Sequence, residues 1–132
     1  MLPPRHRMRR SAEFADTIRK GSRSVGRHLV VHVARAVGAP SAEPTPAEPA
    51  RVGFVVSRAV GGAVRRNRVQ RRLRAILARA ELGEGTLVVV RARPSAAEAS
   101  FEELRREARR LLQRALVKDA QRAAQHGERV GA

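Results

Sequence analysis

A chain of 132 residues has room for one domain that buries roughly two-thirds of the surface its unfolded state exposes. Its 28 Lys+Arg against 12 Asp+Glu leave a net charge of +16 and a pI near 12.0, which selects polyanionic partners, nucleic acid ahead of an anionic membrane surface. The lack of cysteine excludes disulfides and thiolate metal sites, and no run of about 18 apolar residues is present to span a bilayer.

Met1–Arg10 forms a basic arm without the apolar segment of a secretory signal, so a cytoplasmic protein is expected. Ser11 is placed to cap a helix over about Ala12–Lys20, with Gly21 ending it. Leu29–Val37 alternates and is rich in β-branched residues, which predicts a strand. Residues 38–50 contain Pro40, Pro44, Pro46 and Pro49 and read as a flexible loop; its Glu43 and Glu48 would repel a phosphate backbone. A second strand is expected over Val52–Ser57, followed by a turn at Gly61-Gly62.

The segment Val64–Arg74 (V-R-R-N-R-V-Q-R-R-L-R) holds six arginines and no acid. Such density repels itself unless an anion lies against it. The spacing predicts a helix to about Ala80: at about 100° per residue, Val69, Leu73, Ile76, Leu77 and Ala80 share one arc, and Arg68, Arg71, Arg72, Arg74 and Arg79 fall outside it. Arg66 lies at the apolar edge. Arginine supplies 26 of the 28 cations, and its planar fork suits phosphate. GC-rich codon usage would enrich arginine too, but need not leave acids in such deficit.

Thr86–Ala92, bounded by Gly85 and Pro94, predicts a buried strand. Ser100 and Glu103 make a capping-box pattern before a long amphipathic helix marked by Phe101, Leu104, Ala108, Leu111, Leu112, Ala115 and Leu116. Glu102 and Glu107 are expected to pair with arginines on its polar side. Residues 118–132 are expected to fray. The elements give an α/β (α+β) sandwich of order α-β-(β)-β-α-β-α: a small mixed sheet of three to four strands packed with three helices. Residues 11–117 form its single domain.

Few residues invite catalytic chemistry. Gly61-Gly62 lacks the spacing of a nucleotide-binding loop. His6, His28, His32 and His126 show no metal-ligand spacing, and no acid/base pair or nucleophile triad is evident. No protein motif binds a cofactor. Asn67 has the chemistry either to cap the arginine helix or to contact phosphate. Phe14 and Ile18 share a helix face that suits core packing or a floor for unpaired nucleotides. Phe54 and Phe101 read as structural.

The string Arg51–Arg74, R-V-G-F-V-V-S-R-A-V-G-G-A-V-R-R-N-R-V-Q-R-R-L-R, resembles the signature of the bacterial ribonuclease P protein component, whose R-N-R motif matches Arg66-Asn67-Arg68. Met8–Gly21 and T-L-V-V-V-R-A-R-P with the leucine-rich helix after it extend the resemblance over about residues 7–116. It implies a partner RNA, bound one to one, that uses Mg²⁺ held through RNA to free the mature 5′ end of precursor tRNA. Arg65, Arg66, Asn67, Arg68, Arg71, Arg72 and Arg74 would face that catalytic RNA. Arg9, Arg10, Phe14, Ile18, His32 and Arg58 would bind the 5′ leader in a cleft between the first helix and the sheet. Ile18 and His32 stand where relatives can carry aromatics, and Ala59 stands where a second basic residue is frequent. The resemblance also implies a left-handed βαβ crossover, against the general right-handed expectation. No catalytic group in the protein, no membrane and no obligate protein partner are expected. A structural RNA-binding protein, such as a ribosomal protein, is the alternative; a DNA-binding protein or a self-sufficient hydrolase fits less well.

Overall fold

A computed structural model describes Ile18, residues 21–35 and residues 49–130, with side chains as far as Arg122. Ile18 is helical and half-buried; the rest of the helix expected over Ala12–Lys20, the arm with Arg9 and Arg10, Phe14, and residues 38–48 of the expected loop lie outside the described residues.

Four strands make one sheet of order β1-β2-β4-β3: β1 Ser22–Val25, β2 Leu29–Arg35, β3 Arg51–Val55 and β4 Thr86–Ala92. β1 and β2 form an antiparallel hairpin, β2 pairs antiparallel with β4, and β3 pairs parallel with β4. Helix α1 (Ala63–Ala78) connects β3 to β4, and helix α2 (Phe101–Val130) follows β4. The sheet is therefore mixed, with a βαβ unit at one end.

Strand register places Leu29, Val31 and Val33 of β2, Val88 and Val90 of β4, and Val52 of β3 on one face. Val69, Leu73, Ile76 and Leu77 of α1 and Leu104, Ala108, Leu111, Leu112 and Ala115 of α2 complete a single core on that side. Both helices thus cover the same face. On the other face of the central strands His32 and Val89 are buried as well. Burial on both faces explains why β2 and β4 read as nearly unbroken apolar runs.

Element ends shift for local reasons. β3 stops at Val55 because Ser57 enters a 3₁₀ turn over Arg58–Val60. α1 ends at Ala78, where the Arg79 amide donates to the Ile76 carbonyl at 3.3 Å. β1 was not singled out by its sequence, S-R-S-V, and it lengthens the hairpin end of the sheet. α2 continues to Val130, well past the expected fraying point. Lys118 Nζ donates to the Arg23 carbonyl (3.1 Å) and Arg122 to the Gly21 carbonyl (3.1 Å), so the helix is tied to the chain at β1.

The expected capping box at α2 forms in altered shape. The Glu103 amide donates to Ser100 Oγ at 3.1 Å, while the Ser100 hydroxyl donates to the Glu103 carboxylate at 3.3 Å. Glu107 departs further from expectation. It is buried under the β1–β2 turn and not on the polar side, accepting the amides of Arg27 (2.7 Å) and His28 (2.8 Å), while the expected arginine pairing is kept as a contact with Arg110 at 3.9 Å. His28 Nδ1 is 2.7 Å from Ser95 Oγ, whose hydroxyl has the Arg27 carbonyl as acceptor at 3.1 Å. Since Ser95 has one proton to give, Nδ1 carries the hydrogen between them. This polar node clamps the hairpin, a second 3₁₀ turn over Pro94–Ala97 and α2 together.

Candidate nucleic-acid interface

The arginine helix begins at a turn that only glycine fits. Gly61 has φ 147°, and a Cβ there would meet Arg65 Cδ at 2.8 Å. Gly62 takes the N-cap position and no side chain caps the helix. Asn67, at the fifth helical position and exposed, is therefore not a cap; of its two sequence roles only outward contact is left. The first turn contains no acid, while Arg65 and Arg66 stand beside the positive end of the helix dipole. Both features disfavour a bare cationic end and favour an anion there.

Arg65, Arg68 and Arg71 are exposed, and Arg66, Arg72 and Arg74 half-buried. The Nε atoms of Arg66 and Arg74 are buried without a partner, so their stems lie down along the protein. No acidic side chain pairs with an arginine of α1 among the described residues. Several acids are engaged elsewhere: Glu102 holds Arg105 and Arg106, and Asp119 lies 3.8 Å from Arg35. The Arg105 hydrogen bond pulls the Glu102 carboxyl down to about 2. The α1 cations are left uncompensated.

Arg72 is the exception within the predicted set. Its guanidinium donates to the Ala99 carbonyl at 3.0 Å, bracing α1 against the entry to α2. Arg72→Ala is expected to lower stability by about 1–2 kcal/mol, read as a drop in the denaturation midpoint. A loss of RNA affinity with the midpoint unchanged would reverse this assignment.

The remaining described candidates sit elsewhere. His32 lies on the sheet face opposite the helices, in a cross-strand row Arg23–His32–Val89–Gly53. Arg58 is exposed just past the end of β3, and Ile18 is half-buried. The structure thus places the arginine set on α1 and His32 on the opposite sheet face, with Arg58 in the connection between β3 and α1. Two residues were missed: Arg23, directly opposite His32, and Arg91, two along from its partner Val89. Period-two counting along Leu87, Val89 and Arg91 would have put Arg91 on the His32 face.

His32 is 2% exposed and neither ring nitrogen has a partner among the described residues. Burial chiefly, then the charges of Arg91 and Arg23, lower its pKa below the usual 6.5. Its unfolded form accordingly binds the proton more readily. Stability is full above about pH 6.5 and falls as pH drops through the unfolded value toward the folded one. His32→Phe is expected to remove this acid-side loss; a midpoint-against-pH curve unchanged by the substitution would exclude His32 as its source.

The Ribonuclease P family profile matches residues 2–116 of the chain. The chain belongs to the ribonuclease P protein family. It is 56% identical over 109 residues to the ribonuclease P protein component of Beutenbergia cavernae, covering 81% of this chain and 85% of that protein. The ribonuclease P protein component of Kocuria rhizophila is 52% identical over 111 residues, covering 83% and 90%. Among solved structures, the ribonuclease P protein of Thermotoga maritima superposes with a TM-score of 0.66 at 26% identity, covering 82% of this chain and 96% of that one. The Staphylococcus aureus ribonuclease P protein shares the fold at a TM-score of 0.68 and 23% identity, covering 83% and 94%. The α+β fold is thus that of ribonuclease P proteins, and no described helix is long and apolar enough to cross a membrane.

Proposed function

We propose that this chain is the protein subunit that binds the catalytic RNA of ribonuclease P and the 5′ leader of precursor tRNA, assisting removal of the leader. The observation that carries this reading is the uncompensated arginine face of α1 in a chain of this family. Arg65, Arg68, Arg71 and Asn67 lie outward for the catalytic RNA, with Arg66 and Arg74 flanking them. Arg72 acts on the protein side. Arg23 and Arg91, exposed on either side of the buried His32, receive the leader, together with Arg9, Arg10, Phe14, Ile18 and Arg58. A buried imidazole without aromatic neighbours on its strand gives stacking a smaller share there, and the arginines a larger one.

The bond-breaking groups belong to the RNA. Mg²⁺ is assigned to RNA phosphates. The protein's contribution is positional and electrostatic: it neutralises phosphates that would otherwise keep two RNAs apart.

The test is reconstitution with the catalytic RNA at low Mg²⁺, measuring cleavage of precursor tRNA with a long leader and with none. Stimulation greater for the leader-bearing substrate is expected. Protein that binds RNA but stimulates neither substrate would instead fit a structural RNA-binding protein.

A further inference from the structure

Phe101 is 41% exposed, although its phase places it on the apolar stripe of α2. It borders a groove between the second half of α1 and the first three turns of α2, with Ile76, Ala80, Ala108 and Leu112 below it. Ile76 and Leu112 are buried, so the floor is solid core. Arg79, Arg105 and Arg109 line the groove, and no acid does. Arg105 is held by Glu102, whereas Arg79 and Arg109 have no side-chain partner among the described residues.

An exposed ring over an apolar floor between unpaired cations complements a flat ring that carries anions on either side. We propose that this groove receives an unpaired nucleotide of an RNA strand, its base against Phe101 and its flanking phosphates on Arg79 and Arg109. The proposal rests on the RNA-binding reading above and adds a contact on the helix side of the sheet, away from His32. Charge continuity supports it: Arg68 and Arg79, the latter the C-cap of α1, are eleven positions apart and so share one edge leading toward the groove. The tie from Arg72 to the Ala99 carbonyl holds that edge beside the start of α2. An acidic amphipathic peptide could satisfy the arginines but would present no flat face to the ring.

The test uses the full chain with 4-fluorophenylalanine at its three Phe positions, the Phe101 signal being assigned from Phe101→Leu. It is titrated with an unstructured decamer of mixed A and C and with an abasic ribose-phosphate decamer. The RNA should move the Phe101 resonance saturably, and the abasic strand should bind without moving it. Phe101→Leu should weaken RNA binding about fivefold or more at an unchanged salt slope. Arg109→Gln should reduce that slope by about 0.7. If Phe101→Leu does not fold, the fluorine titration of unsubstituted sequence, with Phe14→Leu and Phe54→Leu used for assignment, decides alone. RNA binding with an unmoved Phe101 signal overturns the groove and leaves the RNA-binding reading standing; no binding of either strand overturns both. Equal movement by the abasic strand, or displacement of RNA from Phe101 by a glutamate-rich amphipathic peptide at lower concentration, also overturns the proposal.

Discussion

The Arg68→Ala, Arg71→Ala double variant is expected to bind the catalytic RNA roughly 30-fold more weakly at 0.15 M salt, with its thermal midpoint unchanged. Each lost phosphate contact removes about 0.9 from the slope of log K against log salt, which at 0.15 M corresponds to about fivefold in affinity. Both side chains are exposed and form no ion pair among the described residues, so removing them costs the fold nothing that the structure displays. Salt-dependent filter binding reads the slope directly; a decrease near 1.8 is expected for the pair. An unchanged slope would remove these two arginines from the interface. Arg72→Ala is the internal contrast, since its main cost falls on stability.

The largest effect on folding is expected at Glu107. Glu107→Ala leaves the amides of Arg27 and His28 without their acceptor beneath the hairpin turn. The His28 amide is buried and the Arg27 amide part-buried, and an unsatisfied buried donor costs about 1–3 kcal/mol, so a loss of about 3 kcal/mol is expected, lowering the thermal midpoint by roughly 10–15 °C. That is a large part of the 5–15 kcal/mol typical of a domain. Glu107→Gln keeps one good acceptor and should lose about half as much. Gly26→Ala should reproduce the defect from the other side, since its Cβ would lie 2.8 Å from Glu107 Cδ and from Leu111 Cδ1. Thermal melts followed by circular dichroism give the ranking. If alanine and glutamine at 107 melted together with the unsubstituted protein, the node would hold no part of the stability.

Legibility in the sequence varied with how local the cause was. β2, β4, α1 and the start of α2 were readable because their residues follow the period of their own element. β1 was not, since Ser22 and Ser24 face the helices and are buried by α2, about 90 residues downstream. Glu107 looks like one more charge on a charged helix; only the hairpin folding onto it makes it an acceptor. Arg72 shares helical phase with exposed arginines, and the Ala99 carbonyl that captures it comes from another element. Phe101 fails in the opposite sense: an apolar phase predicts burial, but the groove between the helices leaves its ring open. The cationic character of the site was legible from α1 alone, whereas Arg23 and Arg91 needed the strand register.

The node around Glu107 also sets an order of events during synthesis. Arg27 and His28 precede their carboxylate partner by 80 and 79 positions. At about 5–20 residues per second, the hairpin turn waits roughly 4–16 s for that acceptor to be made. The six arginines of Val64–Arg74 are translated within that interval, before β4 exists to receive β3 as its parallel neighbour. The nascent chain therefore makes its polyanion-seeking segment before the domain that positions it.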